Sequence, residues 1–159
     1  MEAGNAGDSM MDNTPMVFKK DDIPSIWGSV KPFFENVIRL NENYASIGFI
    51  HDKLLDGSYT LIAIHDKEKI VLAMVCEVVT CPTGRNVLMI PHLSGINMEL
   101  WLPVLVDTLY ALGADLSCEE VMISGGRLGW AREMKKYGGE LSHVTIMFNI
   151  KDNQGKTYA

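Results

Sequence analysis

Two consecutive runs, 58–65 and 70–80, are apolar on both of their faces, and this limits the fold more than any other feature. In the first, Leu61 and Ala63 alternate with Ile62 and Ile64; in the second, Leu72 and Met74 alternate with Val71, Ala73 and Val75. Successive side chains of a β-strand point to opposite faces, so a strand that is apolar on both must be covered on both. A sheet with helices on either side follows, an α/β architecture. Between the runs, the polar Asp66-Lys67-Glu68-Lys69 reads as the turn of an antiparallel hairpin.

The covering helices are legible on both sides of this hairpin. Over 21–40, Ile26, Val30, Phe33, Phe34, Val37 and Leu40 recur at three- and four-residue spacings and predict a helix. Pro24 suits its first turn, whereas Pro32 is expected to kink or split it. A shorter helix is expected over 46–55, capped by its leading serine and ended by Asp56-Gly57. After the hairpin, a turn holding Pro82 and Gly84 leads to a third strand, 86–92. A long helix then spans 97–116, with Trp101, Leu105, Leu109 and Leu112 at helical intervals and Pro103 near its start. A short strand at 121–124, an amphipathic helix at 128–137 and a last strand at 144–150 complete the order. In that last strand Val144, Ile146, Phe148 and Ile150 alternate with more polar neighbours. A further strand fits 16–19.

The 159 residues suit one globular domain, read as 17–151, with a loose polar tail over 152–159 and a flexible arm over 1–16. The arm lacks the basic start and apolar core of a secretory signal. No apolar stretch reaches the ~18 residues that suggest a membrane span. A net charge of -6 gives no general attraction to nucleic acid. Arg132, Lys135 and Lys136 form only a small basic face, which reads as a solvated helix surface. Three cysteines, Cys76, Cys81 and Cys118, show no CxxC spacing and imply a reducing compartment. His51, His65, His92 and His143 show no metal-ligand spacing, so no metal site is expected. Ten methionines suit adaptable packing or a protein partner.

The order of helices and strands resembles the fold of the GCN5-related N-acetyltransferases. Three segments are also similar to a phage-encoded branch of that fold: Trp27-Gly28-Ser29-Val30-Lys31-Pro32, Leu93-Ser94-Gly95, and Gly126-Arg127-Leu128-Gly129-Trp130-Ala131-Arg132. The resemblance implies a mostly antiparallel sheet with one splayed parallel pair, helices on both faces, and acetyl-CoA as the candidate cofactor in the splay. It also implies a small phage protein, virion-associated or internal to the particle, with protein partners in the virion or host and a location in the virion or host cytoplasm.

The family grips the acyl-CoA pyrophosphate with Arg/Gln-x-x-Gly-x-Gly/Ala at a helix N-terminus, where free N–H groups meet the phosphates. Laid on His92, Leu93, Ser94, Gly95, Ile96 and Asn97, the motif keeps only Gly95. These residues, with Arg127 after Gly125-Gly126, are the candidate cofactor contacts. A plain strand-to-helix turn is the preferred explanation of Ser94-Gly95, and an ion pair or carbonyl cap explains Arg127 as well as anion binding does. The family's proton-donating tyrosine falls on Met134, which transfers no proton, and Gly139 stands where its closing aromatic belongs. Glu77 and His92 are the candidate general bases, each with a competing reading as a solvent-facing or hydrogen-bonded structural residue. Three functions stay open: a noncatalytic acetyltransferase-like particle or accessory protein, which is the preferred reading, an active N-acyltransferase for a protein or small-molecule amine, and a small binder that modifies host functions by protein contact alone.

Overall fold

The computed structural model describes residues 13–40, 42, 44–124, 128–143, 145–153 and 155–157. The chain divides into two compact units, Met1–Gly125 and Gly126–Ala159.

In the first unit, five strands lie in sequence order across one sheet: β1 Pro15–Phe18, β2 Thr60–Asp66, β3 Lys69–Thr80, β4 Asn86–Gly95 and β5 Glu120–Ile123. The first three junctions are antiparallel and the β4/β5 junction is parallel. This is the mixed sheet expected. The helices are α1 Ile23–Leu40, α2 Ile47–Leu55 and α3 Met98–Asp115, with a 3-10 turn at Lys20–Asp22 leading into α1.

The double-sided apolarity of β2 and β3 is met as the pattern requires. On one face, Ile23, Val30 and Phe34 of α1 and Ile50 and Leu54 of α2 bury Leu61, Ala73 and Val75 in one cluster. On the other, alternation points Ile62, Ile64, Leu72 and Met74 toward α3, whose Trp101, Leu102, Leu105 and Leu109 are buried. Burying a side chain of this size contributes about 1.5–3 kcal/mol, so these two interfaces supply most of the driving force.

Local chemistry sets the helix ends. Ser46 is extended and its side chain accepts the Phe49 N–H at 3.1 Å, capping α2. Gly57, at φ +84°, takes the left-handed turn that releases the chain toward β2. Pro32, expected to kink or split α1, does not split it: the helix is continuous from Ile23 to Leu40. Both Pro32 and Gly28, whose carbonyl loses its helical donor there, are exposed, which lowers the cost of the missing bond. Arg85, in the β3–β4 turn, bridges Glu119 and Glu120 at 2.9 Å each and ties that turn to the start of β5.

The second unit holds α4 Leu128–Lys135 and a short α5 Ile150–Asn153. Gly138, at φ +92°, closes α4: Gly139 N–H reaches Met134 O at 3.0 Å and Gly138 N–H reaches Lys135 O at 3.2 Å. The expected strand over 144–150 is not formed. Residues 145–149 carry no regular structure, Ile150 opens α5, and Val144 lies outside the described residues. Ile146, Phe148 and Ile150 are 77–80% exposed, so alternation alone did not make a strand without a partner to pair with.

Candidate functional site

The site is set by where β4 and β5 stop pairing. Their register runs from Val87↔Glu120 to Ile90↔Ile123, and Ser124 N–H donates to Ile90 O at 3.1 Å as the last link. β4 continues to Gly95, still paired with β3, while β5 has ended. Beyond Ile90 the β5-side edge of β4 is therefore left without a paired strand among the described residues, and this opening is the wedge. The same point carries a bulge, since β4 spends an extra residue at Ile90–Pro91 opposite Cys76 of β3. Pro91 has no N–H to give a ladder, which is why a proline fits there.

β4 reaches three residues past the strand expected over 86–92, so Leu93, Ser94 and Gly95 belong to the sheet and not to a loop. Ile96 N–H donates to Val71 O at 2.8 Å. Counting back by twos, Ser94 and His92 also face β3 with their backbone groups, and Leu93 and Gly95 turn theirs toward the wedge. Among the described residues no strand pairs with that edge.

Gly95 is required by packing. A Cβ there would lie 2.6 Å from Trp101 Nε1 and 2.7 Å from its Cε2. The indole is 2% exposed and donates to Ile96 O at 3.0 Å. Sequence reasoning placed Trp101 in the core but missed this contact, because a glycine and a tryptophan six residues apart carry no local signal. Pro91 was also passed over, although a proline inside a strand pattern is a recognisable mark of a bulge.

Asn97 stands at the N-cap of α3 but does not cap it. It is left-handed, at φ +53°, and makes no side-chain bond to the helix. Glu99 adds a carboxylate to the first turn, already matched to the positive end of the helix dipole. A pyrophosphate would have to meet that charge. Ile96 is 38% exposed beside it. The phosphate end of acyl-CoA therefore finds a poor fit in these residues, whereas the backbone edge at Leu93 and Gly95 suits an amide-bearing chain. Arg127, with Gly125 and Gly126, lies outside the described residues.

The two candidate bases sit on one face of the sheet, the α1/α2 side, without meeting. His92 pairs across from Val75, and Glu77 follows Val75 on the same face. No hydrogen bond or ion pair joins them. Burial holds the His92 imidazole below its ordinary pKa, and its Nδ1 is buried without a partner. Glu77 is half-buried, and its charge helps raise the Tyr59 phenol, after burial itself. In α4, Met134 occupies the position expected for a proton donor, and Tyr137 is 37% exposed in the closing turn. No group of three or more potential metal ligands is found among the described residues. No helix searched there is long and apolar enough to cross a membrane.

Solved structures share this fold at low sequence identity. A ribosomal-protein-alanine N-acetyltransferase from Brucella melitensis superposes with a TM-score of 0.61 at 13% identity, covering 86% of this chain and 99% of its own. The fold is that of the GCN5-related N-acetyltransferases. A Trypanosoma brucei acetyltransferase matches at a TM-score of 0.60 and 13% identity, covering 86% and 98%. A predicted acetyltransferase from Clostridium acetobutylicum, solved with acetyl-CoA, gives 0.59 at 13% over 89% and 98%. No protein-family model matches the sequence, and no curated protein matches it.

Proposed function

We propose that this chain is an acetyltransferase-fold protein with a degenerate acyl-CoA loop, working through protein contacts as an accessory or virion-associated component. The observation that carries this reading is the entrance of α3. The family's cationic or amide position holds His92, which burial keeps neutral, and its second small position holds a left-handed Asn97 without a capping bond. Glu99 adds negative charge where the phosphates would sit. The likeness of three short segments to a phage-encoded branch supports the virion-associated part, and with it a location in the particle or the host cytoplasm.

Calorimetry and thermal unfolding with acetyl-CoA test the reading. The expected result is no saturable heat and no shift in melting temperature. A true ligand at ~100 times its Kd would add about 2.7 kcal/mol, roughly 5–11 °C for a chain of this size. Saturable micromolar binding would refute the reading. Mass spectrometry of purified particles from a phage encoding the chain tests its location.

One observation favours a second reading, an N-acyltransferase that uses acetyl-CoA on a protein or small-molecule amine. The N–H and C=O of Leu93 and Gly95 turn toward the open wedge, a hydrogen-bonding edge suited to the amides of a pantetheine arm. Under it His92 is the better placed base, and transfer of labelled acetyl groups to a panel of amines would be lost in His92→Gln.

A further inference from the structure

A second concavity lies far from the wedge. From Met98 to Leu112 α3 rises about 21 Å at ~1.5 Å per residue, and at that distal end a cleft of about 560 Å³ opens beside β1. The volume falls within the ~300–1,000 Å³ of small-molecule sites. Its lining is divided. Val17, Cys76, Leu112 and Leu116 give an apolar wall, and Lys19 and Lys20 stand on the chain leaving β1.

Three features set the chemistry of what fits. Val17 and Leu116 are 54% and 44% exposed, so apolar surface waits at the mouth for cover. Burial, aided by Cys118 and Glu77, pushes the Cys76 thiol up to about 11, which keeps that wall uncharged at neutral pH. Neither lysine forms an ion pair with a described residue. Asp56 is the carboxylate in the lining, and its Oδ1 already accepts the Ser58 N–H at 2.7 Å. The Lys20 stem passes over Gly57, where a Cβ would lie 3.4 Å from its Cδ. The lining itself thus holds two cations and one carboxylate, with Asp22, just outside it, accepting the Lys19 backbone N–H at 3.2 Å.

We propose that this cleft binds an alkyl carboxylate, its chain against Val17, Cys76, Leu112 and Leu116 and its head at Lys19 and Lys20. The pairing of an apolar wall with unengaged ammonium groups selects an amphipathic anion over a neutral lipid or a cation. This site is separate from the wedge and does not depend on whether acyl-CoA binds there.

Calorimetric titration of the full chain with decanoate, below its micelle concentration and with decanol as the uncharged control, tests the assignment. The expected result is saturable decanoate binding at least tenfold tighter than decanol. In Lys19→Gln/Lys20→Gln, decanoate falls to the level of decanol, and decanol is unaffected. Val17→Trp, at an exposed position, weakens both ligands tenfold or more without moving the ligand-free melting temperature. If that variant is itself destabilised, Leu116→Trp makes the same test. No saturable heat, equal affinity for decanoate and decanol, or unchanged binding in the lysine double variant or in the folded tryptophan variant would overturn the proposal.

Discussion

Replacing Gly95 with alanine puts a methyl group where the Trp101 indole already lies. The new Cβ would be 2.6 Å from Nε1 and 2.7 Å from Cε2, separations that no relaxed packing tolerates. The neighbour is a rigid, 2% exposed ring tied to Ile96 O, so it cannot swing aside like the end of a flexible chain. Overpacking of this kind costs about 1–3 kcal/mol, and losing the indole hydrogen bond adds about 0.5–1.5. The expected destabilisation is about 1.5–4.5 kcal/mol, or roughly 3–18 °C in melting temperature at this chain length. Urea unfolding of Gly95→Ala, Trp101→Phe and the double variant measures it as a cycle. The smaller phenyl ring relieves the contact, so Gly95→Ala should cost at least ~1 kcal/mol less in the Trp101→Phe background. A cost below ~0.5 kcal/mol, or the same cost in both backgrounds, would refute the packing argument. The result also governs how ligand studies are read, because a Gly95 variant that fails to bind acetyl-CoA will have lost its helix entrance first.

Ser46→Ala removes the cap of α2 and should lower stability by about 0.5–2 kcal/mol, read by urea unfolding, while Ser46→Asn should lose little. His92 has a folded pKa below its ordinary 6.5, so the unfolded chain takes up its proton first and stability falls as pH drops from 6.5 toward the folded value. In His92→Gln the pH dependence of unfolding should flatten across that window, and an unchanged slope would show that the imidazole is not the group responsible. Iodoacetamide at pH 8 should label Cys81 and Cys118 well before Cys76, whose buried thiol titrates near 11, as peptide mass spectrometry would report.

Where the chain's own chemistry is local, it was legible in the sequence. The Ser46 cap, the Asp66–Lys69 turn and the two-sided apolar strands each follow from neighbours a few residues apart, and the sheet covered on both faces follows from them. What failed to show was set by distant partners. β4 runs on to Gly95 because β3 continues beside it, and nothing in Leu93-Ser94-Gly95 announces that pairing. The alternation of Ile146, Phe148 and Ile150 is a strand pattern, yet residues 145–149 form none, since a pattern states which face is apolar and not what lies against it. Pro32 misled for the opposite reason: its penalty depends on whether water reaches the freed carbonyl. Among His92 to Asn97, the packing role of Gly95 needed Trp101 in view. The cleft at the far end of α3 draws Val17, Cys76 and Leu112 from three separate elements, a grouping that no spacing encodes.

The Arg85 tie has a mechanical consequence. Because it fastens the β3–β4 turn to Glu119 and Glu120, it adds to the ladder that joins β4 and β5 from Val87 to Ile90, so the parallel pair is held over that stretch and β4 runs on beyond it. Any spreading then pivots at the last link, Ser124 N–H to Ile90 O, and displacement grows with distance along β4 toward Gly95. Loosening the exposed tie should cost at most about 1 kcal/mol, and the hydrogen bonds from Val87 to Ser124 would still hold the pair together.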